Sequence, residues 1–129
     1  NWTYPLIQPK LIEKYLRVKN NSIIGATVTV TVDRPLGSYH PEYKDMYYPI
    51  NYGYIEGVMA PDGEEQDAYI LGVNEPVGKF TGKIIAIVHR KDDVEEKWVV
   101  VPDGMMFSKD EIRQQIYFQE QYFDSEIVM

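Results

Sequence analysis

Lys83-Ile84-Ile85-Ala86-Ile87-Val88, a charged tip from Arg90 to Glu96, and the return Trp98-Val99-Val100-Val101 form the stretch on which the fold turns. Two apolar, β-branched runs around a polar tip predict a hairpin of well-buried strands. Upstream, Ala68-Tyr69-Ile70-Leu71-Gly72-Val73 reads as a shorter strand of the same kind. Val28-Thr29-Val30-Thr31-Val32 alternates with the period of a strand that buries one face. Asp33-Arg34-Pro35-Leu36-Gly37-Ser38 breaks that strand with turn residues. Residues 39–61 are rich in Tyr, Pro and Gly and show little clean periodicity. Downstream, Ser108-Lys109-Asp110-Glu111 has the form of a capping box, opening a helix with Ile112, Ile116 and Phe123 along one face. Leu11, Ile12, Tyr15 and Leu16 predict a further short helix near residues 10–18. The expected fold class is mainly β (α+β): a small, OB-like closed β-barrel with a C-terminal helix packed against it. One domain over residues 1–129 is expected, with an N-terminal extension at 1–22, the barrel at 23–107 and the helix at 108–123.

Composition narrows the chemistry. The chain has 129 residues, a length suited to a single core, and a formal net charge of −7. So negative a surface repels phosphate backbones, and no nucleic-acid partner is expected. The absence of cysteine excludes disulfides, thiolate metal sites and cysteine nucleophiles, and two histidines make a His-rich metal site improbable. No apolar run is long enough to cross a bilayer, so no membrane partner is expected. Asn1-Trp2-Thr3-Tyr4-Pro5 lacks the pattern of a secretory signal, so a cytoplasmic location is expected. Eleven Tyr against four Phe suit a pocket that is both packed and polar.

Three segments could carry chemistry. Asp62-Gly63-Glu64-Glu65-Gln66-Asp67 sets carboxylates at positions one, three and six of a Gly-containing loop, hard oxygen ligands that suit Mg²⁺ if the loop curls. Taken alone, it is better read as an acidic surface turn. Arg90-Lys91-Asp92-Asp93-Val94-Glu95-Glu96-Lys97 adds carboxylates and a Lys, and alone reads as a solvated hairpin. Tyr47-Tyr48-Pro49-Ile50-Asn51-Tyr52-Gly53-Tyr54 could be core packing, yet its Pro, Asn and Gly imply a backbone that projects hydroxyls in several directions. His40 reads as a loop residue, His89 as a residue with one face in the barrel, and Met105-Met106-Phe107 as a core plug or contact surface.

The order of these segments resembles the soluble inorganic pyrophosphatases of the barrel-fold family. That family carries Tyr-Pro-x-Asn-Tyr-Gly-aromatic, then Asp-Gly-Asp-Pro-x-Asp, and later Asp…Asp-x-Lys and aromatic-x-Glu-x-Tyr. Phe118-Gln119-Glu120-Gln121-Tyr122 resembles the last of these, and the likeness spans roughly residues 28–123. It implies Mg²⁺-dependent hydrolysis of pyrophosphate to two phosphates by an activated water, with Mn²⁺ as a substitute and more than one ion allowed. It implies Asp62, Glu64, Asp67, Asp92, Asp93 and Glu95 as metal ligands, and Asp67, Asp62 and Tyr52 as the residues nearest the reacting water. It implies Tyr48, Lys97, Tyr122, Arg34 and Arg90 as contacts to phosphate, at the barrel rim, in a homo-oligomer. Departures are Glu64 for an Asp, Gln66 for an apolar residue, and Phe123 where the family has a phosphate-binding Lys. The family hairpin that supplies a Lys, a Glu and an Arg is not recognisable, and Asp33 falls where the family has an active-site Glu. Fewer cations leave two alternatives: hydrolysis of another phosphoanhydride such as a nucleotide, or a non-catalytic binding module on the same scaffold.

Overall fold

A computed structural model describes residues 23–91 and 95–129. The helix expected at 10–18 lies outside the described residues. Six strands and one helix follow in order: β1 (Thr27–Arg34), β2 (Asn51–Met59), β3 (Glu65–Ile70), β4 (Lys79–Arg90), β5 (Glu96–Val101), α1 (Lys109–Glu120) and β6 (Ser125–Val128). The sheet runs β1-β2-β3-β5-β4, and pairing of β1 with β4 closes it into a five-stranded barrel. β3 and β5 are parallel, and the other neighbours are antiparallel. β6 pairs with the C-terminal end of β4, beyond the part that β1 uses. The expected barrel with a C-terminal helix is therefore the observed fold.

The apolar runs that predict β4 and β5 are buried on both faces, and two packed clusters show why. Val30, Ile55, Ala68, Ile70, Ile84, Ile87, Trp98 and Val100 come from all five barrel strands and fill its interior. Tyr69, Leu71, Val88, Val99 and Val101 point outwards and meet Ile112 and Ile116 of α1. Strands between an interior and a helix have no wet face, so they read as continuous rather than alternating hydrophobics.

β2 was invisible to periodicity, because its inward positions are Asn51, Gly53 and Ile55 rather than a run of large apolar residues. Gly53 is required there. A Cβ at this position would stand 2.0 Å from the Thr31 carbonyl oxygen, so β1 and β2 could not approach. β3 begins at Glu65, earlier than its apolar run, because Glu65, Gln66 and Asp67 pair with Met59, Ile55 and Tyr54. Gln66 is buried and donates to the carbonyls of Asp67 and Glu96, so its amide links β3 to β5. The capping box forms as expected: the Ser108 hydroxyl accepts from the Glu111 amide, and Glu111 accepts from the Ser108 amide. Such a cap stabilises a helix by about 1 kcal/mol. No helix among the described residues is long and apolar enough to cross a membrane.

Candidate active site

Strand alternation decides which polar residues meet. Lys97 lies two residues before Val99, Asp67 two before Tyr69, Tyr52 two after Ile50, and Arg90 two after Val88. All four partner residues face the helix side of the barrel. The period of two therefore places Lys97, Asp67, Tyr52 and Arg90 on the outer wall as well. There Tyr52 stands near the start of β2, Asp67 within β3, Arg90 at the end of β4 and Lys97 near the start of β5. The parallel register sets Asp67 beside Lys97.

Two buried cations form the floor. The Lys97 ammonium donates to Asp67 Oδ2 at 2.7 Å, to the Tyr52 hydroxyl at 3.0 Å and to Glu95 Oε1 at 3.4 Å. Arg90 Nη1 donates to Glu95 Oε2 at 2.7 Å, while its Nη2 and Nε grip Glu120 at 2.8 and 3.2 Å. Both cationic side chains are only 4% exposed. Glu95 thus bridges the two cations, one oxygen to each, while remaining 29% exposed itself. Phe123 covers the Arg90 guanidinium, with 3.6 Å from Cζ to the ring centroid.

The protonation states follow from these contacts. Burial pulls the Lys97 pKa down, but Tyr52 and Asp67 outweigh it and hold the ammonium above its ordinary value. Burial likewise opposes the Arg90 charge, and Glu120 reverses the sign. Burial pushes the Glu120 carboxyl up, but hydrogen bonds from Arg90, Ser125 and Tyr69 bring it below the usual glutamate value. Burial raises the Tyr52 and Tyr69 phenols, so both stay protonated near neutral pH.

Above the floor opens a cleft of about 510 Å³, lined by Arg90, Lys97, Glu95 and Gln119 below and by residues of the 39–47 loop and the end of α1 above. Of the residues expected from sequence, Lys97, Arg90, Glu95 and Tyr122 line this cleft. Asp67 and Tyr52 stand directly behind Lys97. Tyr48 is buried, with its ring against Tyr52 and Phe118 and its hydroxyl 3.5 Å from Gln119 Oε1. Arg34, at the end of β1 and opposite Tyr52 in register, reaches its own neighbour Asp33 and acts electrostatically on the Tyr48 hydroxyl. Asp33 in turn feels Asp67, and burial raises its carboxyl pKa.

Asp62 and Glu64 are exposed in the β2–β3 turn, where Asp62 Oδ1 accepts from the Glu64 amide and neither residue lines the cleft. Asp92 and Asp93 lie outside the described residues. Among the described residues, no three acidic or histidine side chains converge as a ready-made metal cage. Sequence reasoning missed Glu120 and Gln119 as supports of the floor, and His40, Tyr43, Asp45 and Met46 as residues over it. A buried Glu in the last turn of a helix was the available signal for the first pair. The loop residues gave none, because only the chain path brings them there.

Comparison with known proteins agrees with this fold. The sequence profile of the family described as inorganic pyrophosphatase matches residues 18–120. The inorganic pyrophosphatase of Halalkalibacterium halodurans is 28% identical over 103 residues, which is 74% of this chain and 61% of the relative. The chain thus spans about three fifths of the length of that curated relative. Among solved structures, the inorganic pyrophosphatase of Ehrlichia chaffeensis superimposes with a TM-score of 0.61 at 19% identity, covering 80% of this chain and 85% of the other. The Neisseria gonorrhoeae enzyme gives 0.58 at 19% identity, covering 79% and 80%. At such identities the two structures establish the shared fold. A closed five-stranded barrel with a helix on its outer wall, bearing a cleft of buried cations and carboxylates, defines the class of protein. The chain belongs to the inorganic pyrophosphatase family.

Proposed function

We propose that the chain hydrolyses a phosphoanhydride, inorganic pyrophosphate in the first instance, to two phosphates. One observation carries this reading: Glu95 holds two oxygens between the buried Arg90 and Lys97, in the position a phosphoryl group would take. Both cations keep their charge while almost sealed from water, where an anion contact is stronger than in bulk solvent. A phosphoryl group displaces Glu95 rather than Asp67, because the Glu95 contact to Lys97 is the longest of the three.

The donor set is carboxylate oxygen throughout, which suits Mg²⁺. This ion is commonly held by one or two carboxylates together with waters and substrate phosphates, so it needs no preformed cage. Asp67 and Glu95, the carboxylates at the floor, are the residues that would hold it, with Asp92 and Asp93 joining them on the family resemblance; Asp62 and Glu64, exposed in the β2–β3 turn and outside the cleft, are not assigned to it. When bound, Mg²⁺ neutralises phosphate charge and lowers the pKa of a water. The remaining work belongs to the chain. Lys97 anchors Asp67 through Oδ2 and leaves Oδ1 to orient the attacking water. Tyr52, kept protonated, fixes the Lys97 ammonium from the other side. Arg90, clamped by Glu120 and covered by Phe123, presents its charge to the departing phosphate. Tyr122 offers a hydroxyl at the mouth, and Tyr48 and Arg34 brace the wall behind. Mn²⁺ in place of Mg²⁺, a homo-oligomer, a cytoplasmic location and a single domain over 1–129 belong to the same reading.

Phosphate release from pyrophosphate, measured with and without Mg²⁺, tests it. Mg²⁺-dependent release supports the proposal. No release in either condition, with pyrophosphate still bound, leaves a binding module instead.

A further inference from the structure

On the proposed reading, pyrophosphate needs only Arg90 and Lys97 at the floor of the cleft. Aromatic rings from two separate segments line the same cleft: His40 and Tyr43 from the 39–47 loop, Tyr122 and Phe123 from the turn that follows α1. Tyr43 and Tyr122 are 69% and 71% exposed, a large aromatic surface left open to solvent at the cleft.

The loop pair is held in place. His40 Nδ1 accepts from the amides of Glu42 and Tyr43 at 3.0 and 3.1 Å, and its ring lies 4.9 Å from that of Tyr43. The His40 amide donates to the Met46 carbonyl, the Met46 amide to the Tyr43 carbonyl, and a Tyr39–Tyr47 bridge closes the loop base. The rings are thus arranged before any ligand arrives, which lowers the ordering cost of stacking on them. Asp45 also lines the cleft, as a carboxylate that would repel a bare polyanion but can accept from a sugar hydroxyl. A volume of about 510 Å³ is that of a site for a ligand with an organic body.

We propose that this cleft takes a phosphoanhydride bearing a planar aromatic group, a nucleoside diphosphate or triphosphate. The phosphates lie on Arg90 and Lys97, and the base stacks on Tyr43. The inference rests on the phosphoanhydride reading of the floor and adds the substrate class. Hydrolysis then breaks the bond between the β phosphorus and the oxygen that bridges it to the α phosphorus. The nucleoside monophosphate leaves with that bridging oxygen, and water gives its oxygen to the released group and a proton to solvent; the released group is phosphate from a diphosphate and pyrophosphate from a triphosphate.

Calorimetric titration of the full chain with methylenediphosphonate and with α,β-methylene ADP, in Mg²⁺ buffer, tests this without turnover. The expected result is at least tenfold tighter binding of the nucleotide analogue. Tyr43→Ala should lose about tenfold of the nucleotide affinity, consistent with the cost of one stacking platform. Tyr43→Phe should keep that affinity, and methylenediphosphonate should bind all three proteins alike. Equal affinity for the two analogues, or Tyr43→Ala weakening both to the same extent, overturns the proposal. Pyrophosphate hydrolysis without nucleotide binding overturns this inference alone. Failure to bind either analogue overturns it together with the phosphoanhydride reading.

Discussion

Replacing Lys97 with methionine separates the electrostatic role of the floor from its packing role. Methionine fills nearly the same volume, so the outer wall keeps its shape while the ammonium and its three contacts disappear. Removing one partner of a sealed ion pair costs about 3–5 kcal/mol, because the remaining charge is stranded. Here the stranded group is Asp67, at 35% exposure, and Glu95 keeps Arg90. Water reaches Asp67, so the expected loss is about 1–2 kcal/mol, the scale of one hydrogen bond to a charged group. For a domain of this size that is a fall in Tm of about 4–8 °C. Loss of a donor aimed at a phosphoryl oxygen lowers kcat/KM by about 10²–10³. Thermal unfolding and phosphate release on the same preparation read both quantities. Turnover within about twofold of the parent would refute the assignment of the floor. A stability loss above about 4 kcal/mol would show that Asp67 is far less solvated than its exposure implies.

Three further outcomes follow from the same contacts. Asp67→Asn keeps an acceptor for Lys97 and should shift stability by less than about 1 kcal/mol while abolishing phosphate release; an active variant removes Asp67 from the reacting centre. Glu95→Gln withdraws the anion that competes for Arg90 and Lys97. It should therefore bind inorganic phosphate several-fold tighter without Mg²⁺, by calorimetry, yet release phosphate more slowly with it; unchanged phosphate affinity would deny the bridging role. Glu120 has a folded pKa below the ordinary glutamate value of 4.5, so its stabilising contribution is complete above that pH and is lost as the pH falls below it. Urea unfolding as a function of pH should show this loss in the parent and a flatter curve below pH 4.5 in Glu120→Gln, and parallel curves would argue against the Arg90–Glu120 pair.

The parts of the fold that follow a period were legible, and the parts that follow a chain path were not. The runs at 83–88 and 98–101 announced two strands, and Ser108 to Glu111 announced the helix start. β2 hid because Asn51 and Gly53 occupy its inward positions, where closeness to β1 matters more than apolar bulk. β6 hid because four residues carry too little pattern. Lys97, Tyr52 and Asp67 were legible as a group through motif order and spacing. Their mutual contact depends on a parallel β3–β5 register that no local sequence encodes. The Arg90–Glu120 clamp joins a strand end to a helix end thirty residues apart, and only tertiary packing reveals it.

A crystal structure of the chain with Mg²⁺ and methylenediphosphonate tests the central claim most directly. The account predicts a phosphonate oxygen within hydrogen-bond distance of both Lys97 Nζ and Arg90, with the Glu95 carboxylate moved out from between them. A phosphonate bound elsewhere on the barrel, with Glu95 still bridging the two cations, would contradict it.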